Sequence, residues 1–204
     1  METESVAESP PKVLRLRQPN RSQVVLRAEC PEDLVPEVGK AVAAAGVGRV
    51  HFVTHSMGGI LVRDYLRRHA PPSLGRVVML APPNQGSELV DHLGALAVFG
   101  WINGPAGRQL GTGADSLPNR LGPVGFPLGV IAGDWSWNPV YSAIIPGADD
   151  GKVSVARARI DGMADFVVVP HGHTFLMSAP DVIDEVLHFL RDGHFSRSDM
   201  ERAS

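Results

Sequence analysis

The chain is poor in cysteine and lysine, and it lacks long apolar runs and basic runs. A single cysteine among 204 residues, Cys30, excludes an intrachain disulfide and any cysteine-based zinc cluster. Lysine occurs 3 times against 16 arginines, an imbalance that reads as codon bias rather than function. The formal net charge is -3, and no long basic stretch offsets the acids, which argues against a nucleic-acid binder. The longest apolar stretches, such as Val77 to Pro83, fall well short of the roughly 18 residues that span a bilayer, so membrane insertion is not expected. The first residues, METESVAESPPK, are acidic before they are basic and have no apolar segment, so nothing reads as a signal peptide. A cytoplasmic location is the expectation, with secretion of a disulfide-free enzyme left open. What is present, 44% hydrophobic and 20% charged residues, describes a soluble globular chain long enough for its own core.

Residues 1–22, with prolines and alternating charges, read as a loose arm or a short hairpin. A domain follows over 23–195, and 196–204 read as a tail. Pro31 opens an expected helix carrying Leu34, Val38, Ala41, Val42 and Ala45, stopped near Gly46. After a brief strand near Val24–Arg27, four short apolar runs read as strands: Arg49–Thr54, Arg76–Ala81, Leu128–Ala132 and Phe166–Val169. Between the first two lies an amphipathic helix over Ser56–His69, with Asp64 and Arg68 paired at i,i+4. A last helix begins at Pro180. Near-continuous apolar strands separated by helices predict an α/β chain, a mostly parallel sheet covered on both faces. Residues 87–127 interrupt this alternation, either as an ordinary covering helix with a loop or as a cap over a substrate cleft.

The sharpest motif is Thr54-His55-Ser56-Met57-Gly58-Gly59, placed between an expected strand and an expected helix. A serine on such a turn has its Oγ raised above the sheet edge beside the positive end of the helix. Serine at a strand–helix junction can also serve only as an N-cap. With its flanking motifs the sequence resembles the α/β-hydrolase family, in its bacterial lipase and esterase branch, over about Pro31 to Phe195. Beyond the turn the resemblance rests on RVVMLAPPNQGS, GVIAGD, the DDGKVSV loop and HGHTFLMSAPDVIDEVLHFL. Thr54 stands where the family has its first glycine.

The resemblance implies a Ser–acid–His order. Ser56 is the expected nucleophile, and Asp150, in a D-G-x-V-like loop, the expected acid; Asp149 and Asp134 compete with it. An Asp-Gly pair can equally be a turn bonding its own backbone. His173 is the expected base, with His171 as its competitor, while His55 is expected to pack beside the serine. The Met57 N–H is the expected oxyanion donor. The family's second donor comes from an upstream His-Gly loop, and no His-Gly pair precedes Ser56. The domain is therefore expected to be N-terminally shortened, to take a substitute donor from residues 1–30, or to derive from a gene whose start was lost or frame-shifted.

What this implies is a serine hydrolase of carboxylic esters, a lipase or esterase acting through an acyl-enzyme on a small ester or lipid. No cofactor and no metal are implied. Leu89 to Trp101, with Trp135 and Trp137, suggest an apolar cleft suited to aliphatic or aromatic acyl groups. Two other readings stand beside it: a non-catalytic binding module whose exposed sheet edge takes a partner or a second copy, and an acyltransferase using the same three residues.

Overall fold

The computed structural model describes residues 14–18, 21–25, 31–45, 49–69, 71, 73–93 and 108–196. Parts of the expected arm, the 94–107 portion of the expected cap and the 197–204 tail lie outside the described residues, as do 1–13, 19–20 and 26–30 of the segment that one of the three alternatives gave a substitute donor. Strands β1 (Leu14–Gln18) and β2 (Arg21–Val25) pair antiparallel as a hairpin, with Leu14 opposite Val25. Helix α1 (Pro31–Ala45) leads to β3 (Val50–His55), α2 (Met57–Arg68) and β4 (Leu74–Leu80). Two short helices, α3 (Glu88–Leu93) and α4 (Leu117–Arg120), precede β5 (Leu128–Gly133). Then come α5 (Pro139–Ile144), α6 (Val155–Ala158), β6 (Asp165–Val169) and α7 (Pro180–Asp192).

Strands β3 to β6 form one parallel sheet in the order β3-β4-β5-β6. Side chains alternate across a strand, so each central strand feeds two cores. Val77, Met79, Leu128, Val130 and Ala132 pack on one face with Val35 of α1 and Val62, Tyr65 and Leu66 of α2. Val78, Leu80, Ile131, Val167 and Val169 pack on the other with Val182, Val186 and Phe189 of α7. Burial on both faces explains why β4 and β5 read as unbroken apolar runs. Gly129 sits where a Cβ would come within 2.7 Å of both the Phe189 and Phe195 rings, so this glycine lets two aromatics lie directly on the sheet.

Asp64 on α2 does meet Arg68, at 2.8 Å, and Arg67 at 3.3 Å, but the carboxylate is buried rather than on a solvated face. Leu89, at the start of the 87–127 excursion, is buried, at 2% exposure. Among the described residues no helix is long and apolar enough to cross a membrane.

Candidate active site

Strand β3 ends at His55, and α2 begins two residues later. Ser56 bridges them at φ 55, ψ -128, a backbone state that costs a non-glycine residue about 1–3 kcal/mol and is held only by its surroundings. Its N–H donates to the Leu80 carbonyl at 2.8 Å, and its carbonyl accepts from the Gly59 N–H at 3.0 Å. Met57 opens α2, so its N–H has no acceptor within the helix and points out of the helix N-terminus. Thr54 fits where a glycine was expected. A Cβ built on Gly58 would meet the Thr54 Cβ at 3.5 Å, an ordinary contact, so strand and helix are not forced apart.

His173 follows β6 through the Pro170-His171-Gly172 turn and is buried, at 5% exposure. Its Nε2 lies 2.9 Å from Ser56 Oγ and its Nδ1 lies 2.9 Å from Asp150 Oδ2. With Asp150 ionised, Nδ1 carries the proton and donates to the carboxylate, which leaves Nε2 to accept from the serine hydroxyl. The His173 main chain is fixed as well: its N–H donates to the Asp150 carbonyl at 2.9 Å. Its carbonyl accepts from His55 Nε2 at 2.8 Å. Burial, then the neighbouring His173 ring, pushes the pKa of His55 down to about 4, so His55 is a neutral donor around pH 7.

The acid loop divides the two adjacent aspartates. Asp150 Oδ1 accepts from the Lys152 N–H at 2.9 Å and the Val153 N–H at 2.8 Å, while Oδ2 takes His173. One carboxylate thus shapes its own turn and holds the histidine. Asp149 turns away, accepting from Gly151 N–H at 2.7 Å and from Ser142 Oγ of α5 at 3.1 Å. His171 donates to Asp181 in the first turn of α7, at 2.8 Å to the nearer oxygen. Asp134 is exposed just after β5. The structure therefore brings Ser56, Asp150 and His173 into one hydrogen-bonded chain and leaves Asp149, Asp134 and His171 outside it. A Cβ on Gly133, at the end of β5, would overlap the His171 carbonyl oxygen and crowd Asp150, so this glycine lets both loops close over the strand end.

A buried polar brace near the site was not read from the sequence. Arg63 on α2 is buried and donates to four oxygens: Asn84 O and Oδ1, Pro118 O and Gly122 O. Burial lowers its pKa to about 10, which leaves it charged at neutral pH. Asn84 in turn donates to the Ala158 carbonyl at 2.8 Å, and Ser87 Oγ to the Lys152 carbonyl at 2.7 Å. Through these bonds the loop after β4 ties α2 to the acid loop. The one clue in the sequence is a charged residue three after Ile60 and three before Leu66, on the apolar side of α2. Among the described residues no cluster of histidine, cysteine or carboxylate side chains is arranged to hold a metal ion.

No protein-family model matches the chain, and no curated protein matches it in sequence. Its fold is of the α/β-hydrolase type, a parallel four-stranded sheet flanked by helices. Phospholipase PlaB from Legionella pneumophila is similar with a TM-score of 0.60 and 21% identity, over 80% of this chain and 49% of that one. The mature Bacillus licheniformis lipase BlEst2 is similar with a TM-score of 0.52 and 22% identity, over 70% of this chain and 65% of that one. An esterase from Thermogutta terrifontis gives a TM-score of 0.50 and 16% identity, over 86% and 77% of the two chains. The match thus spans about half of PlaB and just under two thirds of the lipase.

Proposed function

We propose that the chain is a serine hydrolase of carboxylic esters. The observation that carries this reading is the hydrogen-bonded chain Ser56–His173–Asp150, set at the carboxyl ends of the parallel strands with its serine at a positive φ. Ser56 Oγ attacks the ester carbonyl carbon while His173 Nε2 takes the hydroxyl proton. Asp150 steadies the resulting imidazolium through Nδ1. Negative charge gathers on the former carbonyl oxygen, where the Met57 N–H and the positive end of α2 favour it. Collapse expels the alcohol, protonated by His173, and leaves an acyl-Ser56 ester. A water, deprotonated by the same Nε2, attacks that ester and releases the acid.

The fold's likeness to a lipase, a phospholipase and an esterase supports the ester as the bond attacked. The test is hydrolysis of a short-chain aryl ester by the wild-type chain and by Ser56→Ala, with added alcohol in parallel. Turnover that disappears in the variant and yields free acid supports hydrolysis. Near-wild-type turnover by the variant would remove Ser56 from the mechanism, and an alcohol-dependent new ester would turn the reading to acyl transfer.

A further inference from the structure

Two uncharged segments rich in aromatic and apolar residues lie next to His173, bounded by the exposed Asp134 and Asp181. Residues 135–148 contain no Asp, Glu, Lys or Arg, whereas at the chain's 20% average a stretch of this length holds about three. Residues 172–180, the turn that carries His173, have none either. From these two segments large apolar side chains stand in solvent: Trp137 at 74% exposure, Val140 and Phe175 at 65%, with Trp135 and Met177 also exposed. The segments meet at Gly172, whose Cβ would lie 3.6 Å from the Trp135 ring and 3.7 Å from the Trp137 ring. The two indoles contact each other edge to face, with centroids 4.3 Å apart. Gly172 directly precedes His173, and its carbonyl accepts from the Phe175 N–H at 3.1 Å. The apolar rim is therefore continuous with the turn that holds the base.

Resting on the ester-hydrolase reading, we propose that this rim docks the chain on a lipid–water interface, so that the site draws its ester from lipid rather than from dilute solution. Three features favour that occupant. Indole rings and a phenyl ring are the side chains that settle at the boundary between water and acyl chains. The rim itself carries no charged side chain, the nearest being Asp134 and the His171-paired Asp181 at its edges, and this fits a zwitterionic surface better than a strongly charged partner. A protein or a second copy seated there would stand beside Ser56 and His173 and impede the entry of substrate, whereas a lipid surface carries the ester to them.

The test uses the full chain as Ser56→Ala, so that binding is read without turnover. It is sedimented with sucrose-loaded phosphatidylcholine vesicles at about 0.05 and about 0.5 M salt, and tryptophan emission is recorded in parallel. The expected result is co-sedimentation that changes less than about twofold between the two salts, with a blue-shifted emission. Adding Trp137→Ser and Val140→Ser should weaken it roughly thirtyfold or more, from the apolar area removed. Phe175→Ser alone, in the same background, should weaken it less. Because these side chains are exposed, thermal unfolding of the variants should match that of the parent. Absence of binding, binding that the substitutions leave unchanged, or binding abolished by salt would each overturn the proposal. So would concentration-dependent self-association that the same substitutions remove while vesicles stay unbound. Vesicle binding by a protein with no ester turnover would instead sink the hydrolase reading and leave the docking face standing.

Discussion

Ser56 and Asp150 approach His173 from regions built in different ways. Ser56 sits between a six-residue strand and a twelve-residue helix and takes a positive φ there, as Ala81 does at the end of the neighbouring strand β4. Asp150 sits in a segment, 145–154, that has neither strand nor helix, only a bridge between Asp149 and Ser154. There the position is set by hydrogen bonds: Asp150 to two backbone N–H groups, Asp149 to Gly151 and Ser142, and Ser87 to Lys152. The serine turn is thus braced by the packing of regular elements, and the acid loop by a polar network. A regular element resists the loss of any single side chain, whereas such a network fails at its nodes.

The largest break in this comparison comes from the reacting groups. Ser56→Ala should lower kcat for a soluble aryl ester by about a thousandfold or more, with little change in thermal stability, since packing of β3 and α2 does not depend on the hydroxyl. Asp150→Asn should cost roughly a thousandfold or more in kcat by disturbing the His173 tautomer. Asp149→Asn should leave kcat within a fewfold and instead lower stability by about 1–2 kcal/mol, through its bonds to Gly151 and Ser142. Steady-state kinetics together with thermal unfolding separates these outcomes. A larger kcat loss at Asp149 would reassign the acid.

Next is the buried brace. Arg63→Met leaves Asn84, Pro118 and Gly122 oxygens without their donor, and should destabilise the chain by about 3 kcal/mol, measured by urea unfolding. A loss below about 1 kcal/mol would show that these carbonyls find other partners.

His55 sharpens the contrast through pH. Its pKa falls from an ordinary 6.5 to about 4 on folding, so the unfolded chain binds more protons there between those values. Stability from this group is fully present above about pH 6.5 and is lost as pH falls toward 4, by up to about 3 kcal/mol. His55→Gln keeps a donor for the His173 carbonyl but does not titrate, so its stability should fall less steeply over that range. Parallel unfolding curves for the two proteins from pH 7 to pH 4 would contradict this.

The smallest effect belongs to Thr54, whose Oγ1 is buried without a partner. Thr54→Val should raise stability by about 1 kcal/mol and leave kcat unchanged. A drop in Tm would mean that the hydroxyl has a role that the β3–α2 packing does not reveal.

The same contrast explains what the sequence made legible. The four strands and α2 were readable because burial on both sheet faces leaves unbroken apolar runs, and an amphipathic helix leaves a 3.6-residue period. Ser56 was readable because its neighbours Thr54 and Gly58 and the flanking elements define the turn. The short helices α5 and α6 were not read, since four to six residues show no period. Asp150 was preferred over Asp149 on the D-G-x-V resemblance alone; the geometry that separates them, which carboxylate faces His173, spans a chain separation of 23 residues and is not local to the loop. Arg63 stood out only as a charge on the apolar side of α2 and Asn84 not at all, since their partners lie 21 to 74 residues away.

The most direct measurement of the central claim is reaction of the chain with a fluorophosphonate, read by intact mass and peptide mapping. The account predicts one adduct per chain, on Ser56, formed slowly or not at all in His173→Ala and absent in Ser56→Ala. An adduct on another serine, or none on a folded wild-type chain, would contradict it.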